Sequence, residues 1–384
     1  MPEKTYLITP GPTPVPPEVQ AALAKPVLHH RSPDFKRLFA ETLTGLRTVF
    51  ETSGEVLVIP GSGTYAMESA VVNLLSPGDR AVVASAGNFG ERWLKLATTY
   101  RADVTHVEQP WGESLDAARI GAASADARVV FVTHSETSTG VVHDVRGIAA
   151  AVRRAGDAVV VVDAVSSLGG VELAMDDWGI DVAVSGSQKA LMTPPGLAFA
   201  AVSSRAMAMA ADSTTPRFAL DWQRIAAAQA KDGTAFTPPV TLVSGLNEAI
   251  RLIERDGLQT TYARNRALAR ATREGVKALG LELFSPDDDS AAMVTAVRMP
   301  EGIDGQEVYT ELRDRHGVVL AGGQGPLRGT VIRIGHMGYM NRFDILTALA
   351  ALELALGTFG HRPPAPGAGV GRAAEVFAEE TVDV

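Results

Sequence analysis

The chain has 384 residues, 35 Lys and Arg against 44 Asp and Glu, a net charge of −9, and no cysteine. The acidic balance argues against a general nucleic-acid or anionic-membrane surface, while leaving room for a local cationic pocket. The missing cysteines exclude disulfides, thiolate zinc sites and cysteine nucleophiles, and are compatible with the cytoplasmic location expected for this chain.

At roughly 150 residues per domain, the length allows about two or three domains. Charge and proline come early, unlike the basic start and apolar run of a secretory signal. No stretch reaches the ~18 uninterrupted apolar residues of a membrane span. In chain order, residues 7–14 are proline-rich and cannot be a helix, so they read as an extended arm lying on something. Helices are expected from 18 to 25 and from 33 to 52. Then short apolar runs alternate with amphipathic segments: strands at 56–59, 81–85, 129–133, 158–162, 182–185 and 198–202, with helices at 65–75, 91–100 and 145–155. That alternation implies βαβ units and an α/β fold, a mostly parallel sheet with helices on both faces.

After Pro238-Pro239 the texture changes. A helix at 240–256 precedes a long charged helix at 258–279. A strand near 293–297, a helix at 305–316, strands near 318 and 331–334, and a last helix at 342–356 suggest a smaller α+β domain. The expected division is an arm at 1–20, a large domain at 21–256, a small one at 257–360 and a tail at 361–384. The tail is rich in proline, glycine and alanine and reads as flexible, with a short docking helix at 373–380 as the lesser alternative. There is no internal repeat.

Five places carry candidate chemistry. Gly61-Ser62-Gly63-Thr64 follows a strand and opens a helix. Its free amides and hydroxyls suit a phosphate, although a plain Thr-capped turn has the same pattern. Asp163 ends a buried apolar strand, where open α/β sheets bind ligands, or else caps a turn. Lys189 lies among small residues in Ser185-Gly186-Ser187-Gln188-Lys189-Ala190, unlike an ordinary solvated lysine. Desolvation and nearby cations there can lower its pKa and make it nucleophilic. Phe89 follows another strand end and is either a stacking face for a planar ring or a hydrophobic plug. Arg333 sits in an apolar strand, where a guanidinium needs an internal ion pair or a substrate carboxylate.

Together these segments resemble class V aminotransferases of the fold-type I pyridoxal-phosphate superfamily, nearest the alanine-, serine- and pyruvate-glyoxylate aminotransferases. The resemblance runs from Thr9-Pro10-Gly11-Pro12 to about Leu356. It is most specific at 185–191, 162–170 and 136–141. It implies a large domain with a mostly parallel sheet, a smaller C-terminal α+β domain, and pyridoxal 5'-phosphate held as a Schiff base on Lys189. Asp163 would pair with the ring nitrogen, with Val165 on one ring face and Phe89 on the other. Thr137 would lie near the ring oxygen. Ser62, Gly63, Thr64 and Gln188 would cradle the phosphate, and Arg333 would bind the substrate α-carboxylate. A homodimer with shared sites is implied, Thr237 adding a phosphate contact across the interface. Thr234 stands where some members have a Tyr. His30-Arg31 resembles a family segment near the site whose role is not assigned. No metal is expected.

The expected activity is ping-pong transfer of an amino group from alanine or serine to a small 2-oxo acid such as glyoxylate or pyruvate. A 2-aminoethylphosphonate-type transaminase or another class V reaction is the alternative. Desulfuration is disfavoured by the missing cysteine. A non-catalytic cofactor-binding role stands further off, because Lys189, Asp163 and Arg333 are all kept.

Overall fold

The computed structural model describes residues 4–286 and 293–380. Its main element is a seven-stranded sheet. From one edge to the other its strands are Glu55–Gly61, Gly196–Val202, Val182–Gly186, Val159–Asp163, Val129–Thr133, Arg80–Ser85 and Asp103–Glu108. Gly196–Val202 runs antiparallel to both its neighbours, and the remaining pairs are parallel. The strands alternate faces as a period of two requires. Val82, Val130, Val132, Val160 and Val162 point into one core, and Val83, Val129, Phe131, Val159 and Val161 into the other. Helices cover both faces, as the sequence pattern predicts. The topology also puts the chain-forward ends of the parallel strands along one edge, so the segments after Gly61, Ser85, Thr133, Asp163 and Gly186 converge there.

A second, four-stranded antiparallel sheet is ordered Glu282–Leu283, Val294–Arg298, Val331–Gly335 and Ala321–Gly322. Its core contains Leu268, Val297, Val308, Ile332, Ile334 and Leu349. The N-terminal arm joins it: Tyr6–Leu7 pairs in parallel with Val318–Val319, and Ile8 is buried in the same core.

One sequence expectation is corrected, in the direction of its lesser alternative, a docking helix. The tail expected to be flexible forms a helix, Ala368–Glu379, with Ala373, Val376 and Phe377 buried in that second core. Its glycine content reads as looseness but serves contact, since a Cβ on Gly369 would meet Leu279 at 2.8 Å and the Gly275 carbonyl at 3.1 Å. Residues 381–384 lie outside the described residues. The edge strand Asp103–Glu108 went unread because only Val107 in it is buried, so it carries no apolar alternation. The opposite edge is closed by a helix also missed, Trp222–Gln229. Its Gln229 side chain accepts from the Val58 amide at 2.9 Å and donates to the Val56 carbonyl at 2.8 Å.

Candidate active site

The strand-end edge brings together most of the residues singled out from the sequence. Asp163 is the last residue of its strand and only 3 % exposed. One carboxylate oxygen accepts from the Val165 amide at 2.8 Å. Burial pushes its pKa up to about 6; the Val165 hydrogen bond pulls down, Glu136 pushes up, and Arg92 and Lys189 pull down. Lys189 follows the next strand and is mostly buried, its Nζ donating to the Pro10 carbonyl at 2.7 Å. Burial first, then Arg333 and Arg92, lower its pKa to about 8 against the pull of Asp163. The arm is pinned across this loop: Thr13 donates its hydroxyl to the Lys189 carbonyl at 2.8 Å and its amide to the Gln188 carbonyl at 3.1 Å.

Ser62 precedes the helix Gly63–Leu74, and its hydroxyl does not cap it. Val165 packs directly against Gly63. Phe89 lies in the first turn of the helix Asn88–Thr99. Two of the residues singled out from the sequence carry a buried side-chain oxygen with no hydrogen-bond partner: Thr137 Oγ1 and Gln188 Oε1. A buried polar atom without a partner is costly, so both suit a site that takes a polar ligand.

Arg333 enters from the four-stranded sheet, between Ala296 and Ala321, and is 6 % exposed. Its guanidinium donates to the Gly322 carbonyl at 3.0 Å and to the Thr137 carbonyl at 2.8 Å. Among the described residues no carboxylate forms an ion pair with it, and burial lowers its pKa to about 10 although Glu136 favours its charge. A buried cation held by two carbonyls retains the capacity to bind an anion.

Thr237 is not brought to the strand-end edge of its own chain. It is exposed and lines a cleft of about 420 Å3 with His30, Arg31, Lys36 and Thr234. The Thr234 hydroxyl donates to the Phe236 carbonyl at 2.7 Å.

Two residues escaped the sequence reading. Arg92 donates to Thr64 Oγ1 at 3.1 Å, and its guanidinium carbon lies 4.8 Å from the Phe89 ring centre. The turn 61–64 thus has a cation beside it in the same chain. Its position three after Phe89 in a helix was the available signal, since residues i and i+3 share a face. The other is Glu136, buried, accepting from the amides of Phe89, Gly90 and Ser138. Its setting between a strand and a run of hydroxyl residues gave no hint of which donors it would meet.

An open α/β sheet that gathers an Asp and a Lys at the ends of adjacent strands has the layout of a ligand-binding edge of the doubly wound class. The pattern of the Aminotransferase class-V family matches residues 5–345, and the chain belongs to that family. It is 41% identical over 382 residues to a protein of Synechococcus sp. named soluble hydrogenase, small subunit, covering 98% of this chain and 99% of the other. It is 37% identical over 393 residues to the L-aspartate–glyoxylate aminotransferase of Paracoccus denitrificans, covering 99% and 98%. Among solved structures, ureidoglycine-glyoxylate aminotransferase of Bacillus subtilis superposes with a TM-score of 0.93 at 31% identity, covering 98% and 99%. The chain is an aminotransferase of fold-type I architecture.

Proposed function

We propose that the chain uses pyridoxal 5'-phosphate to move an amino group from a small amino acid, alanine or serine first, to a small 2-oxo acid such as glyoxylate or pyruvate. The observation that carries this reading is the placement of Lys189 and Asp163 at adjacent strand ends, with Arg333 reaching the same space from the second sheet. The names of the Paracoccus and Bacillus proteins differ in donor but share glyoxylate, which supports that acceptor. The relative named as a hydrogenase subunit does not carry over, because a chain without cysteine has no thiolate to hold an iron–sulfur cluster.

When bound, the cofactor supplies an electron-withdrawing ring that stabilises negative charge on the substrate α-carbon. The chain supplies the rest. Asp163 keeps the ring nitrogen protonated, Val165 and Phe89 hold the ring faces, and Thr137 offers its free hydroxyl to the ring oxygen. Ser62, Gly63, Thr64 and Gln188 receive the phosphate, with Arg92 as the cation. Lys189 would hold the cofactor covalently and would move the proton at the substrate α-carbon. Arg333 holds the α-carboxylate. The exposed Thr237 fits a phosphate contact offered to a second copy, which makes the working unit a homodimer with shared sites. The cytoplasm is the setting expected for it, and no helix among the described residues is long and apolar enough to cross a membrane.

The test is a matrix of amino donors against glyoxylate, pyruvate and 2-oxoglutarate, read as keto-acid and amino-acid product. Alanine or serine with glyoxylate should rank highest. A purified, visibly yellow protein that transfers no amino group from any donor would overturn the reading.

A further inference from the structure

The helix Asn88–Thr99, which carries Phe89 and Arg92, begins without a side-chain cap of its own, after Gly87. Its first amides are satisfied from another segment. Asn88 donates to Ser138 Oγ at 3.0 Å, and Phe89 and Gly90 both donate to Glu136 Oε2 at 3.0 Å. The second carboxylate oxygen accepts from the Ser138 amide at 3.2 Å and from the Ser138 hydroxyl. Four donors aimed at two oxygens require an acceptor-only group, which among side chains means a carboxylate. Burial pushes the Glu136 pKa up, and these donors oppose it. Gly87 allows the approach, since a Cβ there would run into the Glu136 carboxyl and the Ser138 hydroxyl.

The same corner reaches the other half of the site. Thr137, next in sequence, gives its carbonyl to Arg333 at 2.8 Å. The Glu136-Thr137 corner thus hydrogen-bonds both the first turn of the Phe89 helix and, one residue on, the Arg333 guanidinium.

We infer that Glu136 is a positioning residue for this aminotransferase, fixing Phe89 on the ring side and, through the Glu136-Thr137 corner, Arg333 on the carboxylate side. A substrate carboxylate docking on Arg333 therefore meets a ring held by the same anchor. The inference rests on the proposed cofactor site.

Glu136→Ala and Glu136→Gln test it, with three readouts. The first is amide exchange of the peptide spanning 87–90 in the cofactor-free protein. In Glu136→Ala it should quicken roughly tenfold or more, as the helix start loses its acceptor. The second is the induced visible ellipticity of the bound cofactor, which should fall by about half or more as the stacking ring loosens. The third is the split of KM from kcat: KM for the amino donor should rise roughly tenfold, because Arg333 loses its fixed carbonyl. Borohydride should still fix the cofactor on Lys189. Glu136→Gln should recover part of each loss, since its carbonyl still accepts from Phe89 and Gly90 and its amide group donates to the Ser138 hydroxyl, while the Ser138 amide is left without its acceptor. If Glu136→Ala does not fold, Ser138→Ala carries the test, with the same shifts about threefold in size. A variant that lowers only the melting temperature, leaving ellipticity and KM within about twofold, shows a structural filler and overturns the inference. So does a Gln variant as damaged as the Ala variant. Wild-type protein that borohydride does not label at Lys189 overturns the cofactor reading instead.

Discussion

At the seven-stranded sheet, Asp163 and Lys189 lie at the ends of adjacent parallel strands, each balanced against opposite charge, with pKa values drawn toward each other, about 6 and about 8. At the four-stranded sheet, Arg333 lies in mid-strand, held by two neutral carbonyls and, among the described residues, by no carboxylate ion pair. The first region is tuned for proton chemistry, the second left short of one anion. Titratable groups whose environments move them toward neutrality suit acid and base work. A guanidinium that stays charged whatever its burial suits recognition. The two regions should therefore break separately, a variant in one leaving the chemistry of the other in place.

The largest effect belongs to Lys189. Lys189→Ala should lower turnover by roughly a thousandfold or more, since it removes the positioned base. The cofactor should no longer be fixed by borohydride, while the protein keeps its fold. Label recovered on a different lysine would move the chemistry away from this strand end.

Arg333→Ala strikes the other region. Truncating one member of a desolvated charge pair costs about 2–5 kcal/mol, so the specificity constant for α-amino acids should drop roughly thirtyfold or more. Cofactor affinity should hardly change. A specificity constant that stays put would mean that Arg333 serves only to tie Gly322 to Thr137.

Thr237→Ala sharpens the cofactor side. Losing one hydroxyl to a phosphate costs about 1.5 kcal/mol, or roughly tenfold in cofactor retention. Mixed dimers of Lys189→Ala with a more disruptive change at Thr237 decide which subunit it serves. If Thr237 acts on its partner, one site of the mixed dimer carries both defects and the other neither, so part of the activity returns. Heterodimers that regain nothing place Thr237 in its own subunit's service.

How far the sequence carried differs between these regions for a physical reason. The strand-end residues Asp163 and Lys189 are legible because each sits just beyond a short apolar run, and period and position announce them. Ser62 to Thr64 are legible as a strand-to-helix turn. Arg333 is legible as an oddity, a charge in an apolar strand, but nothing in its neighbourhood names Thr137 or Gly322 as its holders. The Thr137 contact joins residues 196 positions apart, and only tertiary structure supplies it. Glu136 is illegible for the same reason, its helix-start donors lying 47 and 46 positions away, whereas the stacking of Arg92 on Phe89 is signalled by their spacing of three. The helix Ala368–Glu379 was misread because composition weighs its glycines and alanines as disorder, whereas small residues let it pack closely.

The smallest predicted effect bears directly on the tuning claimed for the seven-stranded side. Only the neutral amine of Lys189 attacks an aldehyde, so the rate at which cofactor-free protein captures pyridoxal phosphate follows the neutral fraction. With its pKa lowered to about 8, that fraction climbs as pH rises and levels off above this value. From pH 7 to pH 8 the rate should rise by roughly fivefold, and by only about twofold more beyond. An untuned lysine would behave otherwise, gaining about tenfold per pH unit up to its ordinary range above pH 10. Asp163, with a pKa near 6, is largely ionised across this window and contributes little slope of its own. Arg333→Gln removes one cation that pushes the Lys189 pKa down, so the plateau should move to higher pH in that variant, whereas a remote surface Arg→Gln change should leave it in place. A capture rate still climbing tenfold per unit at pH 10 would mean that burial and the two arginines do not set Lys189, and the contrast between a tuned region and a recognising one would fail at its strongest point.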